Sequence, residues 1–252
     1  MTSEQLIIYL LAPLAAYLLG SIPFALVIGK AHGVDIRTVG SKNIGATNLG
    51  RTLGKKYFWQ AFLLDAAKGF VPVLLVALLV RHWNDVAISN AGWTFYTPYN
   101  TSLPARVYLL PSWSPLLTAI AAVLGHNFPL FLKFKGGKGV ATSLGVVLGF
   151  WPLYTFAGIG AALTFIFVLM VYRYISLASM LGVLAFVALV VILGNWQSLP
   201  TYTPPDDLKP LIAVAILFAG LIIYRHKSNI ARLLKGTEPQ IGQKQRDKAN
   251  FK

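Results

Sequence analysis

The chain has 252 residues, 56% of them hydrophobic and only 12% charged, against about 25% charge in an ordinary soluble domain. Its 22 Lys and Arg against 8 Asp and Glu give a net charge of +14. The cations gather between apolar runs, so the excess reads as the positive-inside pattern of a membrane protein, with no nucleic-acid partner expected. Cysteine is absent, which excludes disulfides, thiolate metal sites and cysteine nucleophiles.

Apolar runs near 5–29, 58–80, 114–132, 140–157, 158–173, 175–195 and 210–224 predict about seven transmembrane helices and an all-α integral membrane protein. Runs of about 20 residues span a hydrocarbon core of about 30 Å, and these are continuous where a barrel would alternate. The first run has no basic segment before it and no A-x-A site after it, and reads as a retained helix. The fourth and fifth runs are poorly separated. Pro152 and the glycines Gly158 and Gly160 mark the expected break, with one bent element over 140–173, and hence six spans, as the alternative.

Seven spans with the N-terminus outside put 18 of 22 Lys/Arg on the cytoplasmic side, in 30–57, 133–139, 173–174 and 225–252. Six spans would move the basic tail outside. Segments 82–113 and 196–209, rich in Trp, Tyr and Pro, are expected at the outer interface. The chain reads as a single domain over 1–240. Its tail, 241–252, is basic and expected to be disordered and drawn to anionic lipid.

Three inner segments carry the unusual residues. In the first, 35–56, Ser41, Asn43, Thr47 and Asn48 offer neutral hydrogen bonds, while Arg37, Lys42 and Arg51 offer charge. A polar loop with helix-capping residues accounts for the same pattern. The second, 126–143, contains FKGGKGVATS. Backbone N–H groups of Gly136, Gly137 and Gly139 can turn toward one anion, beside Lys138 and a helix start. A tight turn with positive-inside lysines is the alternative. The third, 224–238, sets His226 and Asn229 three residues apart, on one face if the helix continues. His126-Asn127 resembles that pair. Asp65 and Lys68, inside the second span, share a face and read as an ion pair supporting the polar region.

Several chemistries are disfavoured. No Walker A loop or G-x-S-x-G elbow occurs. The four histidines do not cluster, so no metal is expected, and no cofactor is expected either.

GSKNIGATNLGR, GHNFPLFLKFKGGKGVAT and RHKSNIARLLKGTE, in this order, resemble the three signature segments of the bacterial acyl-phosphate:glycerol-3-phosphate acyltransferases, the PlsY family. GSIPFALVIGK and LLDAAKG are similar too. The resemblance runs from about Gly20 to Glu238. The departures are the long outer segments and the tail. It implies acyl transfer from acyl phosphate to the 1-hydroxyl of sn-glycerol 3-phosphate, giving lysophosphatidic acid and inorganic phosphate. It implies membrane lipid as surroundings, a monomer, and a cytoplasmic-side site in the bacterial cytoplasmic (inner) membrane. It assigns catalytic roles to Ser41, Arg51, Lys138, His226 and Asn229, and substrate binding to Thr47, Asn43, Gly136, Gly137, Gly139 and Ser179. Acyltransferases with an H-x-x-x-x-D motif are disfavoured, because the residues five after each histidine are Arg37, Ala87, Phe131 and Ala231. The base is either His226 or a substrate phosphate oxygen, and direct transfer is favoured over an acyl-Ser41 intermediate. A transporter for a phosphorylated anion is the rival reading. It requires ionisable groups along a path through several spans.

Overall fold

The structure, a computed structural model, describes residues 2–90, 114–199, 203 and 205–241, with side chains through Asn84 in the first stretch. All its regular elements are helical. The first span, Ser3–Ala31, comprises α1 (Ser3–Leu6), a π turn (Ile7–Leu11), α2 (Ala12–Gly20) and α3 (Phe24–Ala31). Pro13 lacks the N–H that an α-helix requires, and the π turn just before it absorbs the lost register. Pro23 lies at the break between α2 and α3 for the same reason. Then come α4 (Ala46–Leu53), α5 (Lys55–Asn90), α6 (Leu116–Asn127), a 3₁₀ turn (Leu130–Leu132), α7 (Val140–Gly149), α8 (Leu153–Tyr172), α9 (Ile175–Asn195), α10 (Pro205–Arg225) and α11 (Lys227–Leu234).

Among the described residues, five helices are long and apolar enough to cross a membrane: Ser3–Ala31, Lys55–Asn84, Leu153–Tyr172, Ile175–Asn195 and Pro205–Arg225. The expected third and fourth spans are shorter apolar helices. At ~1.5 Å per residue, α6 reaches about 18 Å and α7 about 15 Å, well short of a bilayer core. They sit inside the bundle, α6 against α2 and α5, and α7 against α5 and α8. The main core runs through them, joining Val73, Val123, Val146, Tyr154, Phe186, Val190 and Phe218. Leu63, Leu75, Leu163, Phe167 and Met170 face outward, as lipid-facing side chains do.

Small residues permit this packing. A Cβ on Gly20 would strike the backbone of Ala122, and one on Gly125 the backbone of Tyr17. Gly145 approaches the Ala66 carbonyl, and Gly69 the Thr142 carbonyl, in the same way. Lipid gives apolar helices no hydrophobic reason to associate, so close backbone contact supplies much of the cohesion.

The structure corrects two expected boundaries. The break between the fourth and fifth runs lies at Phe150–Pro152, at the expected Pro152 but upstream of Gly158 and Gly160. Those glycines lie within α8, where they admit Val147 of α7 and Leu189 of α9. The second span's helix also extends to Asn90, where it was expected to end near 80. Most of the outer segment 82–113, and the tail from 242, lie outside the described residues.

Candidate active site

The first polar segment is organised by one side chain. Asn48, only 1% exposed, accepts from the Ser41 N–H at 2.9 Å. Its amide donates to the carbonyls of Ile36 (2.8 Å), Val39 (3.2 Å) and Asn43 (3.0 Å). All its hydrogen-bonding capacity holds the loop, so Asn48 does not serve a ligand as expected. Arg37 is also occupied, paired with Asp35 at the surface at 2.5 Å. Ser41 remains exposed, and its hydroxyl has no base within hydrogen-bond reach among the described residues. Thr47 and Arg51 lie on α4, in its first and last turns.

The second segment reverses between α6 and α7. Gly139 caps α7 with φ +81°, a left-handed conformation that suits glycine. Its Cα rests on the Asn127 amide, and a Cβ there would come within 2.9 Å of Oδ1. Gly137 is buried, and its N–H donates to the His126 carbonyl at 3.1 Å. That N–H is therefore unavailable to an anion in this conformation. The N–H groups of Lys138 and Gly139 make no hydrogen bond among the described residues, and the first turn of α7 leaves further donors open. Arg225 holds the other side of the loop, donating to the carbonyls of Gly137 (2.9 Å) and Gly136 (2.5 Å) while resting over the Phe128 ring.

The third segment breaks where a continuous helix was expected. α10 ends at Arg225 and α11 begins at Lys227, with His226 between them. Asn229 still returns to it, donating its N–H to the His226 carbonyl at 2.8 Å. After α11, Gly236 takes φ +66° and reverses the chain. This turn brings Glu238 back over Asn229 and Arg232. The buried Glu238 carboxylate accepts from Asn229 Nδ2 (2.6 Å), Ser176 Oγ (2.7 Å) and Arg232 Nε (2.7 Å). Burial pushes its pKa up, but these donors outweigh that and hold it below the usual value.

Lys138 joins the second and third segments, donating from Nζ to Asn229 Oδ1 at 2.5 Å. The first segment closes on the same place: Arg51 donates to the Pro239 carbonyl at 3.4 Å, next to Glu238. Asn43, Lys138, Tyr224, Arg225, Lys227 and Ser228 line a cleft of about 230 Å³. All three segments contribute to it.

The electrostatics of this region are unbalanced. Arg51, Arg225 and Arg232 lie near enough to act on Lys138, with Glu238 as the carboxylate that acts on it. Burial, with help from these cations, pulls the Lys138 pKa down to about 8. Burial and the Lys138 charge pull His226 down to about 4, so its ring is neutral at pH 7. Its Nδ1 lies 2.7 Å from the Ile222 carbonyl. Nδ1 therefore carries the hydrogen, and Nε2 is an acceptor. Such a ring can orient a hydroxyl, but it is a weak base. The surplus positive charge is what an anionic ligand would relieve.

The expected residues are not all brought together. Lys138, Asn229, His226, Arg51, Asn43 and the glycine loop converge. Ser179 does not join them by a hydrogen bond; its hydroxyl donates to the Ile175 carbonyl of its own helix at 2.8 Å. Ser176, one turn earlier, makes the link through Glu238. Sequence reasoning missed Glu238 and Ser176. The signal for Glu238 was Gly236 two residues before it, a helix stop that turns the chain back. Among the described residues, no group of three His, Cys, Asp or Glu could hold a metal ion.

Comparisons with known proteins place the chain in a family. The family model described as glycerol-3-phosphate acyltransferase matches residues 10–236. A glycerol-3-phosphate acyltransferase of Geotalea daltonii is 39% identical over 238 residues, covering 94% of this chain and 97% of the relative. One of Aquifex aeolicus is 39% identical over 226 residues, covering 88% and 94%. The fold is similar to the crystal structure of PlsY, an integral membrane glycerol 3-phosphate acyltransferase, in its glycerol 3-phosphate form. The TM-score is 0.70 at 38% identity, covering 92% of this chain and 95% of that one. The lysophosphatidic acid form gives a TM-score of 0.68 at 37% identity. With nearly its whole length matched and its three polar segments meeting at one cationic cleft, the chain belongs to the glycerol-3-phosphate acyltransferase family.

Proposed function

We propose that this protein transfers a fatty acyl group from acyl phosphate to the 1-hydroxyl of sn-glycerol 3-phosphate, in the first acylation step of phospholipid synthesis. The observation that carries this reading is the convergence of three segments, far apart in sequence, on one cleft with surplus positive charge. Both substrates bring phosphate. The acyl chain lies among the helices while the head meets the inner loops.

In the proposed reaction, the acceptor's hydroxyl oxygen attacks the acyl carbonyl carbon. The bond between that carbon and the phosphate oxygen breaks, and inorganic phosphate leaves. The hydroxyl proton goes to a phosphate oxygen, whose second pKa of about 6 suits that task. His226 is too weak a base for this step and instead orients the hydroxyl through Nε2. Among the described residues Ser41 has no base within reach, which favours direct transfer over an acyl-enzyme. Lys138 and Arg51 neutralise phosphate and the developing oxyanion charge. Asn229 aims Lys138, and open N–H groups at the start of α7 fix the phosphate with Gly136, Gly139 and Thr47. Ser179 contributes to the substrate site from α9.

Seven crossings, with α6 and α7 counted as short ones, put the three segments on the cytoplasmic face and the N-terminus outside. The 18-of-22 distribution of Lys/Arg supports this orientation and residence in the cytoplasmic (inner) membrane. The protein acts as a monomer in this reading. A transporter would need an ionisable path. Among the described residues, the buried Asp65, Lys68 and His126 within the spans engage one another.

The test is purified protein given sn-glycerol 3-phosphate with either acyl phosphate or acyl-CoA. Lysophosphatidate and stoichiometric inorganic phosphate are expected from acyl phosphate alone. Comparable turnover with acyl-CoA would defeat the donor assignment.

A further inference from the structure

A second polar cluster lies deeper in the molecule and outside the proposed chemistry. Asp65 and Lys68 on α5 are 2% and 3% exposed, and their charged groups stand 2.7 Å apart. Lys68 also donates to the Ile22 carbonyl at 2.7 Å, at the break between α2 and α3. His126, at the end of α6 and 7% exposed, turns Nδ1 toward Asp65 Oδ1 at 3.6 Å. This is a charge–dipole contact longer than a hydrogen bond. The opposite edge of the imidazole, Nε2, lies against Gly137. A Cβ added there would collide with Nε2, so the ring fills the space that a side chain at 137 would take.

The same residue holds the loop by its backbone. Gly137 donates its N–H to the His126 carbonyl, and Gly136 packs flush against the carbonyls of His126 and Asn127. Arg225 grips the loop from the other side, through the carbonyls of Gly136 and Gly137. The residue after Gly137 is Lys138, which must reach Asn229. A shift of His126 therefore moves the base on which Lys138 stands.

We infer that Asp65, anchored by Lys68, is a positioning residue: it fixes the His126 ring beneath Gly137 and so sets the aim of Lys138 and of the open loop N–H groups toward a phosphate. This rests on the acceptor reading above for its kinetic consequence, but not for its structural one. The cluster explains why two full charges are kept inside a span, where each is expensive unless paired. The pair ties three elements, the α2–α3 break, α5 and α6, to one loop.

The experiment uses full-length Asp65→Asn and Asp65→Asn/Lys68→Met. The double variant removes both charges, so it leaves no unpaired ammonium that would keep the single variant from folding. Hydrogen exchange of peptides covering residues 133–139 is measured first. Faster exchange is expected in both variants, because the Gly137 N–H to His126 bond opens more often. Steady-state kinetics follow. The kcat/KM for glycerol 3-phosphate should fall by about 10- to 100-fold, as misplacement of a positioned group by about 1 Å can do, with a rise in the acceptor KM as part of it. His126→Ala should give the same KM effect, and combining it with Asp65→Asn should add little, since both act through one contact. Unchanged loop exchange and unchanged acceptor KM in either folded Asp65 variant would overturn the inference. So would a fully additive Asp65→Asn/His126→Ala combination. If the wild-type protein shows no acceptor-dependent turnover, the acceptor reading fails instead, and the exchange result alone decides whether Asp65 positions the loop.

Discussion

Two buried or half-buried charged clusters stand among the described residues, and they are built on opposite terms. Around Asp65 the charges balance: one carboxylate meets one ammonium, and an imidazole closes the set. Around Lys138 they do not, for Arg51, Arg225 and Arg232 share its surroundings while Glu238 supplies the carboxylate. Balance is what a buried cluster needs to be stable by itself. Surplus is tolerable only beside solvent or a ligand of opposite sign. In the proposed reading, this difference separates a structural brace from a binding site, and it does so without reference to any motif.

The sharpest way to break this contrast is to remove surplus charge. Lys138→Ala or Arg51→Ala should lower kcat/KM by about 10²-fold or more, as loss of an oxyanion-type donor does, and leave thermal stability nearly unchanged. Steady-state rates and a melting curve for each variant check this. A folded Lys138→Ala enzyme with near-normal turnover would dissolve the distinction between the clusters.

Removing the one anchoring carboxylate should have an intermediate effect of mixed kind. Glu238→Gln weakens the holds on Asn229, Ser176 and Arg232 together. We expect a stability loss of about 1.5–3 kcal/mol, the range for hydrogen bonds to charged groups, with a smaller loss of kcat/KM than Lys138→Ala. Denaturant or thermal unfolding alongside kinetics would separate the two components.

The smallest effect sharpens the comparison through pH. The Lys138 pKa is lowered to about 8. Its charge is therefore present below that pH and is lost as pH rises through it, whereas an unperturbed lysine would keep it to about 10.4. The acceptor KM should rise above about pH 8, by at most tenfold per unit for one proton. His226, lowered to about 4, should contribute no inflection between pH 5 and 8. A kcat/KM profile over pH 5–10 tests both statements, and His226→Asn should leave its shape unchanged.

Much of the site was legible in the sequence because cations, glycines and amides in an apolar chain have few structural uses. Lys138, Asn229 and Arg51 stood out for that reason, and the structure brings them together. What was not legible depends on where the chain turns. Glu238 reaches Asn229 only because Gly236 adopts a left-handed conformation. Ser176 and Ser179 differ by one turn of α9, and local spacing does not say which one faces Glu238. Asn48 looked like a ligand-binding amide, yet its four hydrogen bonds all hold its own loop. In the fold, the long apolar helices were readable from length alone. Pro152 marked the break between the fourth and fifth runs, but the boundary at 157/158 fell too late, because Gly158 and Gly160 weaken a helix in principle and here admit neighbouring side chains within one.

The most direct test of the central claim is calorimetric binding of sn-glycerol 3-phosphate to purified wild-type protein and to Lys138→Met, with no acyl donor present. The account predicts measurable binding to the wild type that weakens with added salt and is lost in Lys138→Met. Equal affinity for the two proteins would contradict it, because the surplus charge at Lys138 would then have no part in holding the phosphate.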